Sequence, residues 1–189
     1  MEIEGRAIVV SGGGSGIGRA AVLALAGRGA KVIVADLDET GGRQTVDLAG
    51  AKGGVAVFRH CDVTRTEDLA GAFACAFEHF GRLDVAFNNA GIGGEDLFAD
   101  DPGDWAKVID IDLTAVIDAT RIAVREMRRS GRGGVIINTA SMGGLLPMAG
   151  SPVYAAAKAG VVNFTRSLAY LAEEANIRVN AICPSFTDT

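Results

Sequence analysis

Short apolar runs of strand length alternate with helix-length segments along the whole chain, and that alternation restricts the fold more than any other feature of the sequence. The apolar runs lie near 6–10, 31–35, 55–59, 83–87, 134–139 and 177–183. The helical periods lie near 17–28, 39–50, 66–80, 104–129 and 153–174. A helix of that length between two short buried strands returns the chain in a right-handed crossover. Successive strands therefore run parallel in a sheet covered on both faces, the doubly wound α/β architecture. By analogy with that class the strand order is 3-2-1-4-5-6. The 189 residues, 49% hydrophobic and 22% charged, hold enough apolar material for one sizeable core, and residues 1–189 read as one domain. The only long loop expected runs from Gly91 to Gly103, rich in glycine and aspartate.

Charge and cysteine usage exclude several classes of function. A formal net charge of −5 argues against a nucleic-acid surface, and the basic cluster from Arg121 to Arg132 is broken by apolar residues, as a solvated helix face would be. No apolar run is long enough to span a bilayer, and the amino terminus opens at once on a fold element, so neither membrane partner nor signal peptide is expected and the protein should be cytoplasmic. Cys61, Cys75 and Cys183 are widely spaced in apolar runs and read as reduced core thiols. His60 and His79 have no partner at ligand spacing, so no metal site is expected.

The first apolar run, Ala7-Ile8-Val9-Val10, leads into Ser11-Gly12-Gly13-Gly14-Ser15-Gly16-Ile17-Gly18 and then into a helical stretch from Arg19 to Leu25. A strand, a glycine turn and a helix start place bare backbone N–H groups and the positive end of a helix dipole together, where they can hold a pyrophosphate. The spacing is Gly12-x-x-x-Gly16-x-Gly18 rather than the common G-x-G-x-x-G. The second run, Lys31 to Ala35, ends at Asp36, close to the distance at which an acidic side chain meets an adenosine ribose. A carboxylate there accepts from both ribose hydroxyls and repels a 2′-phosphate. Asp38 is the better cap for the following helix. Neither Leu37 nor Ser15 offers a positive charge, so the cofactor expected is NAD.

Near the other end, Tyr154 and Lys158 stand four residues apart in an apolar helical pattern, which puts a phenol and an ammonium on one helix face. A free phenol titrates at about 10, so its use as a base near neutral pH needs a shift of about two units, roughly 3 kcal/mol, part of which a fixed cation supplies. On its own the pair is a common coincidence of amphipathic helices.

Taken in order, the glycine turn, Asp62-Val63 after the third strand, Asn88-Asn89-Ala90-Gly91 after the fourth, Ser141 after the fifth, and Tyr154 with Lys158 resemble the short-chain dehydrogenase/reductase family. The resemblance runs from about Glu4 to the last residue. Within the family, Gly144-Leu145-Leu146-Pro147 through Pro152-Val153-Tyr154, with Asn180-Ala181-Ile182-Cys183-Pro184, look most like the NAD-dependent hydroxyprostaglandin dehydrogenase branch. The resemblance implies a Rossmann fold and hydride transfer between NAD and a secondary alcohol or ketone. It puts the pyrophosphate on Gly12, Ser15, Gly16, Ile17 and Gly18, the adenosine ribose on Asp36 and Leu37, and the adenine beside Asp62 and Val63. Asn89 would meet the second ribose region, with Pro184, Thr187 and Thr189 also on the cofactor. Ser141 would donate to the substrate oxygen, Tyr154 would act as base, and Lys158 would assist Tyr154 and hold the nicotinamide ribose. Ser141 alone could equally be a strand-end turn residue. The resemblance further implies a homodimer or homotetramer paired through the helices at 104–129 and 153–174. Leu145, Leu146 and Met148, with Phe98, suggest an apolar or cyclic substrate, and serve equally well as core or subunit contacts.

Two positions depart from the family. Asp112 stands where the catalytic asparagine belongs, and the helical period puts it on one face with Trp105, Ile109 and Val116. It is either a locally solvated helix acid or a carboxylate that adds negative charge near Lys158. Ser185 replaces a glycine whose backbone position can require positive φ. The family also continues into a substrate loop and a seventh strand, before which this sequence stops. A competing reading is a dinucleotide-binding or scaffolding protein that keeps the fold and turns nothing over; the Ser141, Tyr154 and Lys158 set favours the enzyme.

Overall fold

The structure is a computed structural model that describes residues 2–94, 97–99 and 103–187. Its six parallel strands are β1 (Ala7–Ser11), β2 (Lys31–Asp36), β3 (Val55–His60), β4 (Val85–Asn88), β5 (Gly134–Thr139) and β6 (Ile177–Ile182). They lie in the order β3-β2-β1-β4-β5-β6, the arrangement expected from the alternating pattern. β1 pairs with β2 on one side and β4 on the other, so consecutive crossovers diverge at its carboxyl end. That divergence opens a crevice where ligands of this class of sheet are bound.

The helices are α1 (Gly16–Ala26), α2 (Glu39–Gly50), α3 (Thr66–Phe80), α4 (Trp105–Ile109), α5 (Ala115–Ser130), α6 (Pro152–Ser167) and α7 (Leu171–Ala175). The pleat of β1 divides the core. Ile8 and Val10 point to one side with Val22, Val32, Val34 and Ala49, under α1 and α2. Val9 points to the other with Ile33, Phe73, Ala86, Ile122, Met127 and Ile136, under α3 and α5. Sequence signals fix several ends: the Asp38 carboxylate accepts from the Thr40 N–H to cap α2, as expected, and Gly81 and Gly131 close α3 and α5 in the left-handed conformation.

Two long helices read from the sequence are each interrupted. The segment expected over 104–129 is α4, then one π-helical turn at Asp110–Thr114, then α5. The segment expected over 153–174 breaks after Ser167 and resumes as α7, which ends at Asn176 with φ +53°. Neither break leaves a mark in the apolar pattern, because a one-residue π insertion and a restart of the helix are set by packing rather than by composition. The chain from Phe98 through Gly103 contributes few described residues, and that part of the expected loop lies largely outside them.

Candidate active site

A cleft of about 480 Å³ lies over the carboxyl ends of β1, β2 and β4. The glycine turn forms one wall. Gly12 and Gly16 have φ of +66° and +49°, and a Cβ at Gly12 would stand 2.8 Å from the Ala90 Cα. Gly18 does not line the cleft; a Cβ there would fall 1.9 Å from the Gly12 carbonyl oxygen, so its role is to let α1 pack against the turn. Ser15 precedes α1 in extended conformation and caps nothing with its side chain, and no acidic residue lies in the first turn. The N–H groups that open α1 therefore face the cleft without a side-chain partner, a cradle suited to an anion.

At the same end, Asp36 terminates β2. Its Oδ2 accepts from the Gly14 N–H at 2.7 Å and its Oδ1 from the Asp38 N–H at 2.9 Å, which leaves a second lone pair on each oxygen. Asp62 is turned onto its own loop, accepting from the Thr64 hydroxyl and N–H, and these two bonds hold its carboxyl below the usual range. Cys61, missed as a lining residue, is buried at the floor, and burial, with Asp68 and Asp62 nearby, pushes its thiol up to about 12. It is a filler with no reactive thiolate. Asn89 lines the cleft, but its amide reaches the Ser11 and Gly12 carbonyls at 3.3 and 3.4 Å, while its Oδ1 accepts from the Thr139 hydroxyl. It braces the glycine turn against β5.

Tyr154 and Lys158 reach the opposite wall from α6. Lys158 is buried, donates to the Thr139 carbonyl at 3.0 Å, and holds its Nζ 5.6 Å from the centroid of the Tyr154 ring. Helix α6 is set against the sheet by a buried chain of amides and hydroxyls: Asn88 donates to Thr120 and Asn138, and Asn138 to Thr165 on α6. Asp112 is fully buried on the π turn. Its Oδ1 accepts from the Ile92 N–H at 2.9 Å, and its Oδ2, with no hydrogen-bond partner, faces Lys158 Nζ at 3.6 Å. The solvated alternative for Asp112 is thereby excluded. The apolar face drawn through it was wrong at one end, because Trp105 is exposed; the π turn, not the α period, sets the direction of Asp112. Burial raises the Asp112 carboxyl and lowers the Lys158 ammonium, and each partner opposes the other's shift.

Ser141 lies outside the cleft lining and caps a short 3₁₀ turn, Met142–Gly144, where its Oγ accepts from the Gly143 N–H. The hydroxyl proton remains available to donate. A Cβ at Gly144 would lie 2.6 Å from the Lys158 carbonyl oxygen, so this glycine lets the turn close onto α6, while one at Gly143 would fall 2.2 Å from Met148 Sδ and only touch Tyr154 at 3.5 Å.

The cleft thus gathers Gly12, Ser15, Gly16, Ile17, Asp36, Leu37, Asp62, Val63, Asn89, Tyr154, Lys158 and Thr187. Asp112 and Ser141 stand behind it, and Pro184 is held aside with its carbonyl accepting from the Met142 N–H. Thr189 lies outside the described residues. Thr139, which was unanticipated, and Gly91, the last residue of the Asn88-Asn89-Ala90-Gly91 motif, lie against Lys158; no sequence signal marks Thr139 beyond its place at a strand end. Leu145, Leu146, Met148 and Phe98 are exposed and do not line the cleft. Two expectations need correction. Ser185 does not adopt positive φ, since Asn176 is the only described non-glycine residue that does, so no backbone strain follows from it. His79 does have neighbours: its Nδ1 lies 3.4 Å from Cys75 Sγ, and ligand atoms of Cys75, Glu78 and His79 fall within 4.8 Å of one another. That group sits in the last turns of α3, at the opposite end of the helix from the cleft. Among the described residues no helix is long and apolar enough to cross a membrane.

Comparisons with known proteins agree with this geometry. Residues 6–189 match the family model described as short chain dehydrogenase. The chain is 39% identical to the 15-hydroxyprostaglandin dehydrogenase [NAD(+)] of Homo sapiens, covering all of this chain and 71% of that protein. It is 36% identical to a 3beta-hydroxysteroid dehydrogenase 2 of Eggerthella lenta, covering 99% of this chain and 73% of that one. Among solved structures, a short chain dehydrogenase/reductase from Burkholderia phymatum in complex with NAD superposes with a TM-score of 0.93 at 32% identity, over 99% of this chain and 68% of that one. The chain belongs to the short-chain dehydrogenase family.

Proposed function

We propose that this protein is an NAD-dependent dehydrogenase that moves a hydride between a secondary alcohol or its ketone and the nicotinamide, with Tyr154 as the base. The observation that carries the reading is that one cleft has an anion cradle and Asp36 at one end and Tyr154 with Lys158 at the other. The residues fit the cofactor: the α1 N–H groups would take the pyrophosphate, the free lone pairs of Asp36 the ribose hydroxyls, and Lys158 the hydroxyls of the second ribose. Bound there, NAD supplies the hydride acceptor. Tyr154 takes the hydroxyl proton of the alcohol, Ser141 donates to the same oxygen, and the Lys158 ammonium favours the phenolate.

The substrate reading is an apolar or cyclic secondary alcohol. Exposed Leu145, Leu146 and Met148 follow the 3₁₀ turn that presses on Tyr154, and the relatives' names include a prostaglandin and a steroid dehydrogenase. We also infer a homo-oligomer paired through α5 and α6, where Ile117 stays exposed. The test is NAD reduction, followed by absorbance, against prostanoid, steroid and terpene alcohols and short linear ones. Turnover of the bulky alcohols with NAD supports the reading. No reduction with any of them, under conditions where NAD binds, contradicts it.

A further inference from the structure

Arg19 is a half-buried guanidinium on α1 with no part in the chemistry just described. It ties three places together. Its Nη2 donates to the Gly14 carbonyl and, at 3.3 Å, to the Gly41 carbonyl, and its Nε donates to the Thr45 hydroxyl at 3.0 Å. Thr45 is fully buried and passes its own proton to the Gly41 carbonyl at 2.9 Å. All three acceptors on Arg19 are neutral, so the contact is a geometric clamp rather than an ion pair.

The clamp holds both backbone polar groups of one residue, and so fixes the two peptide planes that flank the Gly14 Cα. The carbonyl of Gly14 is taken by Arg19 and its N–H by Asp36 Oδ2. The glycines make the approach possible: a Cβ at Gly14 would stand 2.8 Å from Asp36 Oδ2, and one at Gly41 2.9 Å from the Gly14 carbonyl oxygen. The α1 helix, the glycine turn, the end of β2 and the first turn of α2 are therefore locked through Gly14.

We propose that Arg19 is the positioning residue that sets the choice between NAD and NADP, by fixing the Gly14 N–H on Asp36 and so fixing where the Asp36 carboxylate points. This rests on the reading of Asp36 as the ribose ligand. With Arg19 in place, Asp36 is pre-set to accept ribose hydroxyls and cannot swing away from a 2′-phosphate. Loss of the clamp loosens the glycine turn, which weakens both cofactors alike. It also loosens one of the two N–H groups that hold Asp36, leaving the Asp38 N–H to hold the carboxylate, which weakens NAD further and relieves NADP. The affinity ratio therefore isolates the second effect from the first.

The sign of that ratio separates the proposal from its rival. Were Arg19 merely a positive charge near the 2′-position, its removal would weaken NADP more than NAD and the preference for NAD would grow. Calorimetric titration of NAD and NADP into wild type, Arg19→Ala, Arg19→Lys and Thr45→Val decides the matter. Wild type should favour NAD by about tenfold or more, and Arg19→Ala should lower that ratio by about tenfold, the weight of one charge-assisted hydrogen bond. Arg19→Lys keeps the charge but cannot span the same acceptors, so its ratio should fall with that of the alanine variant. Thr45→Val keeps Arg19 and removes one acceptor, and it should move the ratio the same way by a smaller factor even where the Arg19 variants fold poorly. A ratio that is unchanged or larger in the variants overturns the proposal while leaving Asp36 as the selector. Equal affinities in wild type overturn both.

Discussion

Asp112 is a fully buried carboxylate set beside the ammonium of Lys158. A carboxylate with no solvent exposure is costly unless paired, and among the described residues the 3.6 Å contact with Lys158 is its only counter-charge within reach. The negative charge supports the Lys158 ammonium against the burial that lowers it, and it opposes the field that Lys158 presents to Tyr154. Asp112→Asn keeps an oxygen for the Ile92 N–H and deletes the charge. The Lys158 field on Tyr154 is then uncompensated, and the basic-side rise of kcat/KM should move to lower pH by about one unit. An unchanged pH profile would show that Asp112 does not act through charge. The sequence carried half of this: the acid in an apolar run was visible, while its direction was not, because the π turn that aims it leaves no compositional mark.

At the scale of elements, the site depends on how closely the 3₁₀ turn after β5 approaches α6. Gly144 is the contact point, where a Cβ would stand 2.6 Å from the Lys158 carbonyl oxygen and 2.7 Å from its carbon. Backbone atoms cannot rotate away, so Gly144→Ala must push the Ser141 cap from the Tyr154 helix. A displacement of that size should lower kcat by about a hundredfold, while the NAD dissociation constant should rise by about tenfold at most, because only the Lys158 contact to the second ribose is disturbed and the pyrophosphate cradle and Asp36 at the far end are untouched. Equal damage to both would mean that the turn serves the whole cleft rather than the reacting end. The strands and the glycine turn were legible from apolar runs and glycine spacing, since both reflect local rules. The tight contact of Gly144 was not, because closeness to α6 is decided by tertiary packing.

For the whole molecule, Asp84 pins β4 to β1 at the sheet's amino-terminal edge. It accepts from the Ala7 N–H at 2.9 Å, from Arg6 at 3.1 Å and from Arg82. Burial alone would raise its carboxyl, but the bonds from Arg82, Ala7 and Arg6 outweigh burial and hold it below the usual range. A carboxyl depressed in the folded state contributes stability above its unfolded pKa of about 3.9, and that stability is lost as pH falls through the folded value. Asp84→Asn should therefore cost about 2 kcal/mol in denaturant unfolding at neutral pH, and the gap from wild type should narrow below about pH 4. A gap independent of pH would assign the loss to packing alone. The strand order was legible because alternating strands and crossovers allow few topologies, whereas the two interrupted helices and the clamp through Arg19 arise from contacts no local pattern records.

Tyr154 is proposed to carry the proton transfer, in a cleft whose other end is proposed to bind NAD. The most direct measurement pairs turnover of a bulky secondary alcohol with NAD binding by calorimetry in wild type and Tyr154→Phe. The phenylalanine variant lacks one oxygen at the reacting centre and little binding surface. Its kcat should fall by about a hundredfold or more, with the NAD dissociation constant within about twofold of wild type. A variant that keeps more than about a tenth of the wild-type rate would contradict the claim that Tyr154 is the base.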